Sequence, residues 1–236
     1  MISKPTLDVS NLPASSLDGE TPLWWGNVIA MAVETTILSL LLMSYFYLRK
    51  NFHLWPPPYV DTLHPVLHPS PKLLLATLNT LLMVASCWPM ARADKLARRF
   101  ASLSPQSHPP SERERWERES NEARGRVQRS LTGGLALVAA MIAVSLLLRW
   151  FGFRALYFDW NDNAYASAAW SLLVLHFVYL LFSFVEMALL AVWIGALGLQ
   201  EKMAEDLTLV AGFWYWTVAA WIVIYAVVFW SPRLMP

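Results

Sequence analysis

Charge is scarce in this sequence. Asp, Glu, Lys and Arg make up 15% of its 236 residues, against about a quarter in soluble domains, so too little charge is present to clothe a globule in water. Cysteine is scarcer still. The single Cys87 excludes an intrachain disulfide and any thiolate cluster for zinc or an iron–sulfur centre, and its simplest use is as a small apolar filler. Also absent are a Gly-rich phosphate loop, an elbow-serine motif and a paired-cysteine redox motif. The chain alone is therefore expected to carry out no redox chemistry. Residues Met1 to Glu20 hold two prolines and no apolar run, so no cleavable signal peptide is expected and the first apolar segment must serve as the insertion signal.

What is present is apolar surface: 56% hydrophobic residues and 13 tryptophans. A bilayer core about 30 Å thick needs roughly 20 apolar residues in helical form. Five stretches satisfy this, at about 23–48, 73–90, 131–150, 167–198 and 209–230, the last stopped by Pro232. Backbone groups in lipid must be satisfied within the segment, so the expected fold is an all-α integral membrane bundle of five transmembrane helices forming one domain, residues 1–236, with no internal repeat. Asn51 to Pro71 carries Trp55-Pro56-Pro57-Pro58 and three further prolines, which makes it a stiff connector. Small residues at Ala139, Ala140 and Ala143, and at Ala188, Ala191, Gly195 and Gly198, allow close helix approach.

Residues 91–130 read as a charged loop. They hold ten of the 18 Lys and Arg residues, and six acidic residues are interleaved with them. That mixture, with only Phe100 and Trp116 as aromatics in it, argues against nucleic-acid binding. From Ser111, a possible N-cap, Glu/Arg pairs at spacings of three and four predict a solvated or amphipathic helix inside this loop. With the loop on the cytoplasmic side, twelve Lys and Arg lie inside against six outside, Arg149 among the latter. The positive-inside rule then places the N-terminus inside and the C-terminus outside.

Polar residues within the apolar runs are the candidate site. Glu34 lies about twelve residues into the first span, near the bilayer midplane at 1.5 Å per residue. A carboxylate there is costly unless neutralised or paired. It serves either proton uptake, a lipid or subunit contact, or a hydrogen bond to a neighbouring helix. His176, Tyr179, Ser183 and Glu186 recur at spacings of three, four and three, forming one stripe on the fourth span. Hydrogen bonding to another helix is the ordinary use of such a stripe; a relay or ligand site is the alternative. Haem needs axial His, Met or Cys ligands and copper in this chemistry several imidazoles, whereas the spans contain one histidine, His176. His64 and His68 are four apart in the Pro-rich connector, but each precedes a proline, which disfavours the helix that would align them. No metal or cofactor is expected on this chain.

Several of these segments resemble subunit III of the haem-copper oxidases. The first span, with its Trp24–Trp25 entry, mid-helix Glu34 and exit SYFYLRKNFHLWPPP, is similar to that family's Ser-Glu, Phe-aromatic, Arg, Trp-Pro-Pro succession, with Trp55 and Pro56 in the last positions. LNTLLMVAS, from Leu78 to Ser86, resembles the family's Asn-Thr-x-x-Leu-x-x-Ser-Ser segment through Asn79 and Thr80. Trp214 and Trp221 fit the two tryptophans of its Trp-His-Phe-Val-Asp-x-x-Trp motif, although Tyr215 and Val218 replace the His and Asp; Tyr179 stands where a second histidine is common.

The resemblance, to a divergent member of the five-helix bacterial form, implies a cofactor-free accessory subunit in the bacterial cytoplasmic membrane. It would pack against the catalytic subunit I, with subunit II in the same complex. Haem and copper would reside in those partners, oxygen reduction there being coupled to proton translocation, and phospholipid is a possible ligand of this chain. A subunit III-like accessory protein of a nitric-oxide reductase system has a similar helix pattern. A small transporter or proton channel is the alternative from another class, although no inverted repeat or broken helix pair is present.

Overall fold

The apolar runs all fold as helix. The computed structural model describes residues 21–57, 71–102, 113–198 and 201–234. Five long helices follow one another: α1 (Pro22–Arg49), α2 (Leu73–Ser102), α3 (Arg113–Arg154), α4 (Ala164–Leu197) and α5 (Glu201–Tyr225). A π-helical turn (Ala226–Trp230) and a short α6 (Ser231–Leu234) continue α5, and no strand occurs among the described residues. Five stretches are long and apolar enough to cross a membrane. The chain is a multi-pass, all-α membrane protein.

Local chemistry sets the clean helix ends. Thr21 caps α1, its hydroxyl accepting the Trp24 N–H at 3.2 Å, and Pro22 occupies the first turn, where a missing N–H costs nothing. Asn163 does the same for α4, accepting the Ala166 N–H at 2.8 Å, and Gly198, at φ 80°, ends that helix in a conformation only glycine adopts freely.

Three expected boundaries are corrected. Residues 91–130 are not a loop for most of their length, because α2 runs on through Pro89 to Ser102 and α3 starts at Arg113. The charged helix and the third span are therefore one element of 42 residues; Ser111 lies outside the described residues. The reason is a seam. Ala76, Asn79, Met83, Ser86, Met90, Ala93, Ala97 and Phe100 of α2 are all buried, alternating three and four apart. Leu131, Leu135, Val138, Ile142, Ser145 and Arg149 of α3 repeat the same spacing. These two heptad seams pack against each other as an antiparallel pair, and on α2 the stripe, through Ala93, Ala97 and Phe100, carries the helix past the point where hydropathy ends.

The fifth element differs at both ends. It starts at Glu201, ahead of the apolar run, and Pro232 does not stop it. Lacking an N–H, Pro232 leaves a carbonyl one turn earlier short of a donor. Two tyrosines compensate: Tyr45 donates to the Val227 carbonyl at 3.2 Å and Tyr165 to the Val228 carbonyl at 2.8 Å. Arg233 donates to the Phe229 and Pro71 carbonyls, tying this end to the start of α2.

In the bundle α2, α3, α4 and α5 form a ring of neighbours, and α1 lies against α4 and α5. Half of the apolar stretch of the fifth span is buried, against 11% for α1. Thus α5 is the central post and α1 the peripheral one.

Candidate functional site

Glu34 sits close to the middle of α1, and the structure gives it a groove. The groove, about 430 Å³ in volume, is lined by Asn27 and Glu34 of α1, Phe182 and Glu186 of α4, and Asp206 and Phe213 of α5. It begins where α1 and α5 start and ends at Glu34, about 18 Å further along the axis. Asn27 donates to the Leu209 carbonyl at 3.1 Å, and Thr21 donates to Glu205 at 2.5 Å, so α1 is pinned to α5 along one side. One oxygen of Glu34 is shielded from solvent yet has no hydrogen-bond partner among the described residues. Glu186 and Tyr179 lie within electrostatic reach of it. Two carboxylates and a phenol thus share this side of the bundle.

The predicted stripe on α4 divides in two. Tyr179 and Glu186 belong to the Glu34 side: the Tyr179 ring meets Trp216 edge-on at 5.1 Å, its hydroxyl has no partner among the described residues, and Trp216 in turn donates to Thr35 of α1 at 2.9 Å. His176 and Ser183 turn instead into the core, against α5. Ser183 and Thr217 hydroxyls are 3.4 Å apart. The fully buried His176 places Nε2 3.0 Å from the Thr217 carbonyl and Nδ1 3.3 Å from the Arg149 guanidinium. A carbonyl only accepts and a guanidinium only donates, so the ring carries its proton on Nε2 and uses the Nδ1 lone pair. Neither nitrogen is left for a haem iron or copper. Among the described residues no group of three or more His, Cys, Asp or Glu side chains is placed to hold a metal, and His64 and His68 lie outside them.

Arg149 is the residue that sequence reasoning misplaced. Counted above as an external charge, it is instead 5% exposed in the core. Its guanidinium lies 3.4 Å from the centroid of the Trp221 ring, a desolvated cation–π contact of about 2 kcal/mol. In the amide orientation that satisfies both neighbours, Asn79 donates to the Ser145 carbonyl at 3.3 Å and accepts from Arg149 at 3.2 Å. The Nε of Arg149 has no hydrogen-bond partner among the described residues. The signal that could have found it is the heptad spacing from Leu131, which ends on Arg149.

The positions that resemble the oxidase family converge. Trp55 is buried, donates to the Tyr45 hydroxyl at 2.9 Å, and meets the Tyr45 and Tyr165 rings edge-on at 5.3 and 5.5 Å; the Trp55–Pro56 bond is cis. The connector after α1 is thereby plugged into the same tyrosines that serve the π-turn. Trp221 donates to Thr80 at 2.8 Å and Trp214 to Ser86 at 3.1 Å. Thr77 shares a 2.6 Å bond with Tyr225, and Thr208 donates to Asp94 at 2.7 Å. These four bonds keep one antiparallel register along α2 and α5. Of the two substituted positions, Val218 is buried and Tyr215 is partly exposed.

Comparison of the chain with models of known protein families gave no match, and comparison with curated proteins gave none either. The class that the fold defines is thus a five-helix, multi-pass membrane bundle, and the function rests on the residues.

Proposed function

We propose that the chain is an accessory, cofactor-free subunit III of a respiratory haem-copper terminal oxidase in a bacterial cytoplasmic membrane. In this reading it packs against subunit I, with subunit II in the same complex, its N-terminus is inside, and it supports proton uptake during oxygen reduction. Haem and copper belong to the partners, and membrane phospholipid fills its lateral surface. The observation that carries the proposal is Glu34: a mid-helix carboxylate with an unpartnered oxygen, at the inner end of a groove that also presents Glu186 and Asp206. An acidic groove leading from one membrane face to the midplane suits delivery of protons to a neighbour, and α1, the least buried helix, offers Glu34 at the periphery where a neighbour packs. Support also comes from the pairing of the two motif segments, Thr80 and Ser86 with Trp221 and Trp214.

Purification of the tagged chain in mild detergent tests the assignment. A co-purifying haem protein with oxygen-consuming activity is expected; recovery with a nitric-oxide reductase, or solute flux by the chain alone in vesicles, would overturn it. Within the complex, Glu34→Gln is expected to leave assembly intact and to shorten the span of sustained turnover several-fold. Activity unchanged over prolonged turnover would remove Glu34 from the function.

A further inference from the structure

We propose that Arg149 is the floor of a binding site for a phosphate-class oxyanion. Buried arginines are normally matched by a carboxylate, since a cation removed from water needs a counter-charge as well as hydrogen-bond acceptors. Among the described residues none pairs with Arg149. Its partners are the Trp221 ring, the Asn79 carbonyl oxygen and the Nδ1 lone pair of His176. All three are acceptors without charge. The Nε–H, equally buried, meets nothing.

Arg149 also lines a cavity. A space of about 50 Å³ is bounded by Arg149, Asn79 and Trp221 at its inner end and by Lys72 at its outer end, with Gly152 and Ala155 along the wall. It holds room for several water-sized groups, by the roughly 10–15 Å³ that one such group needs, which suits the free oxygens of a phosphate. Two cations and no carboxylate line it. Lys72, exposed, is held 4.8 Å over the Tyr157 ring, so its ammonium is positioned at the rim. Lys72 immediately precedes α2, and Arg149 lies five residues before the end of α3. This is the depth at which lipid headgroups sit, and it is also open to dissolved anions. The shared chemistry is a phosphate oxyanion taken by a fork of N–H donors below and an ammonium above.

The test uses the full chain, delipidated in a phosphate-free maltoside detergent, with thermal unfolding as the readout. One arm adds phosphatidylglycerol, the other inorganic phosphate. A rise of about 5 °C in Tm is expected at saturation, and the arm that gives it identifies a lipid or a dissolved anion as the source. Lys72→Gln is expected to weaken the half-saturating concentration about 5-fold. Gly152→Leu tests the space without touching a charge: a Cβ on Gly152 meets nothing within 4 Å, so the variant folds while its side chain occupies the cavity, and the Tm rise is lost. An unmoved wild-type Tm in both arms, or a full rise in both variants, would overturn the proposal.

Discussion

At the scale of single residues, the core of this membrane bundle is held by polar groups that have one arrangement each. His176 connects three helices because its two nitrogens face opposite ways, one to α5 and one to Arg149 on α3. His176→Leu therefore leaves a buried guanidinium N–H without this acceptor, and a loss of about 1–3 kcal/mol is expected; His176→Gln, which keeps a donor and an acceptor, is expected to recover part of it. Denaturant unfolding in mixed micelles measures both, and equal losses in the two variants would show that volume, not hydrogen bonding, is what His176 supplies. The positions of the α4 stripe were legible from its spacing, though not their division between two faces, and Glu34 stood out because a carboxylate in an apolar run calls for neutralisation or a partner. Arg149 was not. Near the end of a span an arginine is ordinarily taken to reach toward the headgroups, and only its partners on α2, α4 and α5 turn it inward.

At the scale of elements, hydropathy located all five helices and misjudged where several of them stop. The spans are runs of apolar residues, but α2 is prolonged by a seam of one residue in three or four that a run of charges conceals. Pro232 was misleading for a related reason. A proline stops a helix when the carbonyl it orphans has no other donor, and around Pro232 the tyrosines come from α1 and α4, far away in sequence. This account is open to a double-mutant cycle. Tyr165→Phe is expected to cost about 1–2 kcal/mol in the parent chain, and less after Pro232→Ala returns an N–H to that turn. Additive losses would mean that the Tyr165 hydroxyl does not serve the carbonyl that Pro232 leaves short of a donor.

At the scale of the whole molecule, α3 is about 63 Å long, twice the thickness of the hydrocarbon, so much of the α2–α3 pair stands clear of the lipid. The charge count assigns that end to the cytoplasm. Because Cys87 is the sole cysteine, a Cys87→Ala background permits a direct measurement. Asp162→Cys, in the α3–α4 connector, is expected to react with an impermeant maleimide on intact cells, whereas Pro105→Cys, between α2 and α3, reacts only after permeabilisation. The reverse pattern would invert the orientation of the bundle. The α2–α5 register has a mechanical consequence. Four bonds, from Thr77–Tyr225 to Asp94–Thr208, span the pair from one end to the other. A slide of α5 by one turn, 5.4 Å in an α-helix, would break all four at once. The pair therefore resists shear like a riveted beam.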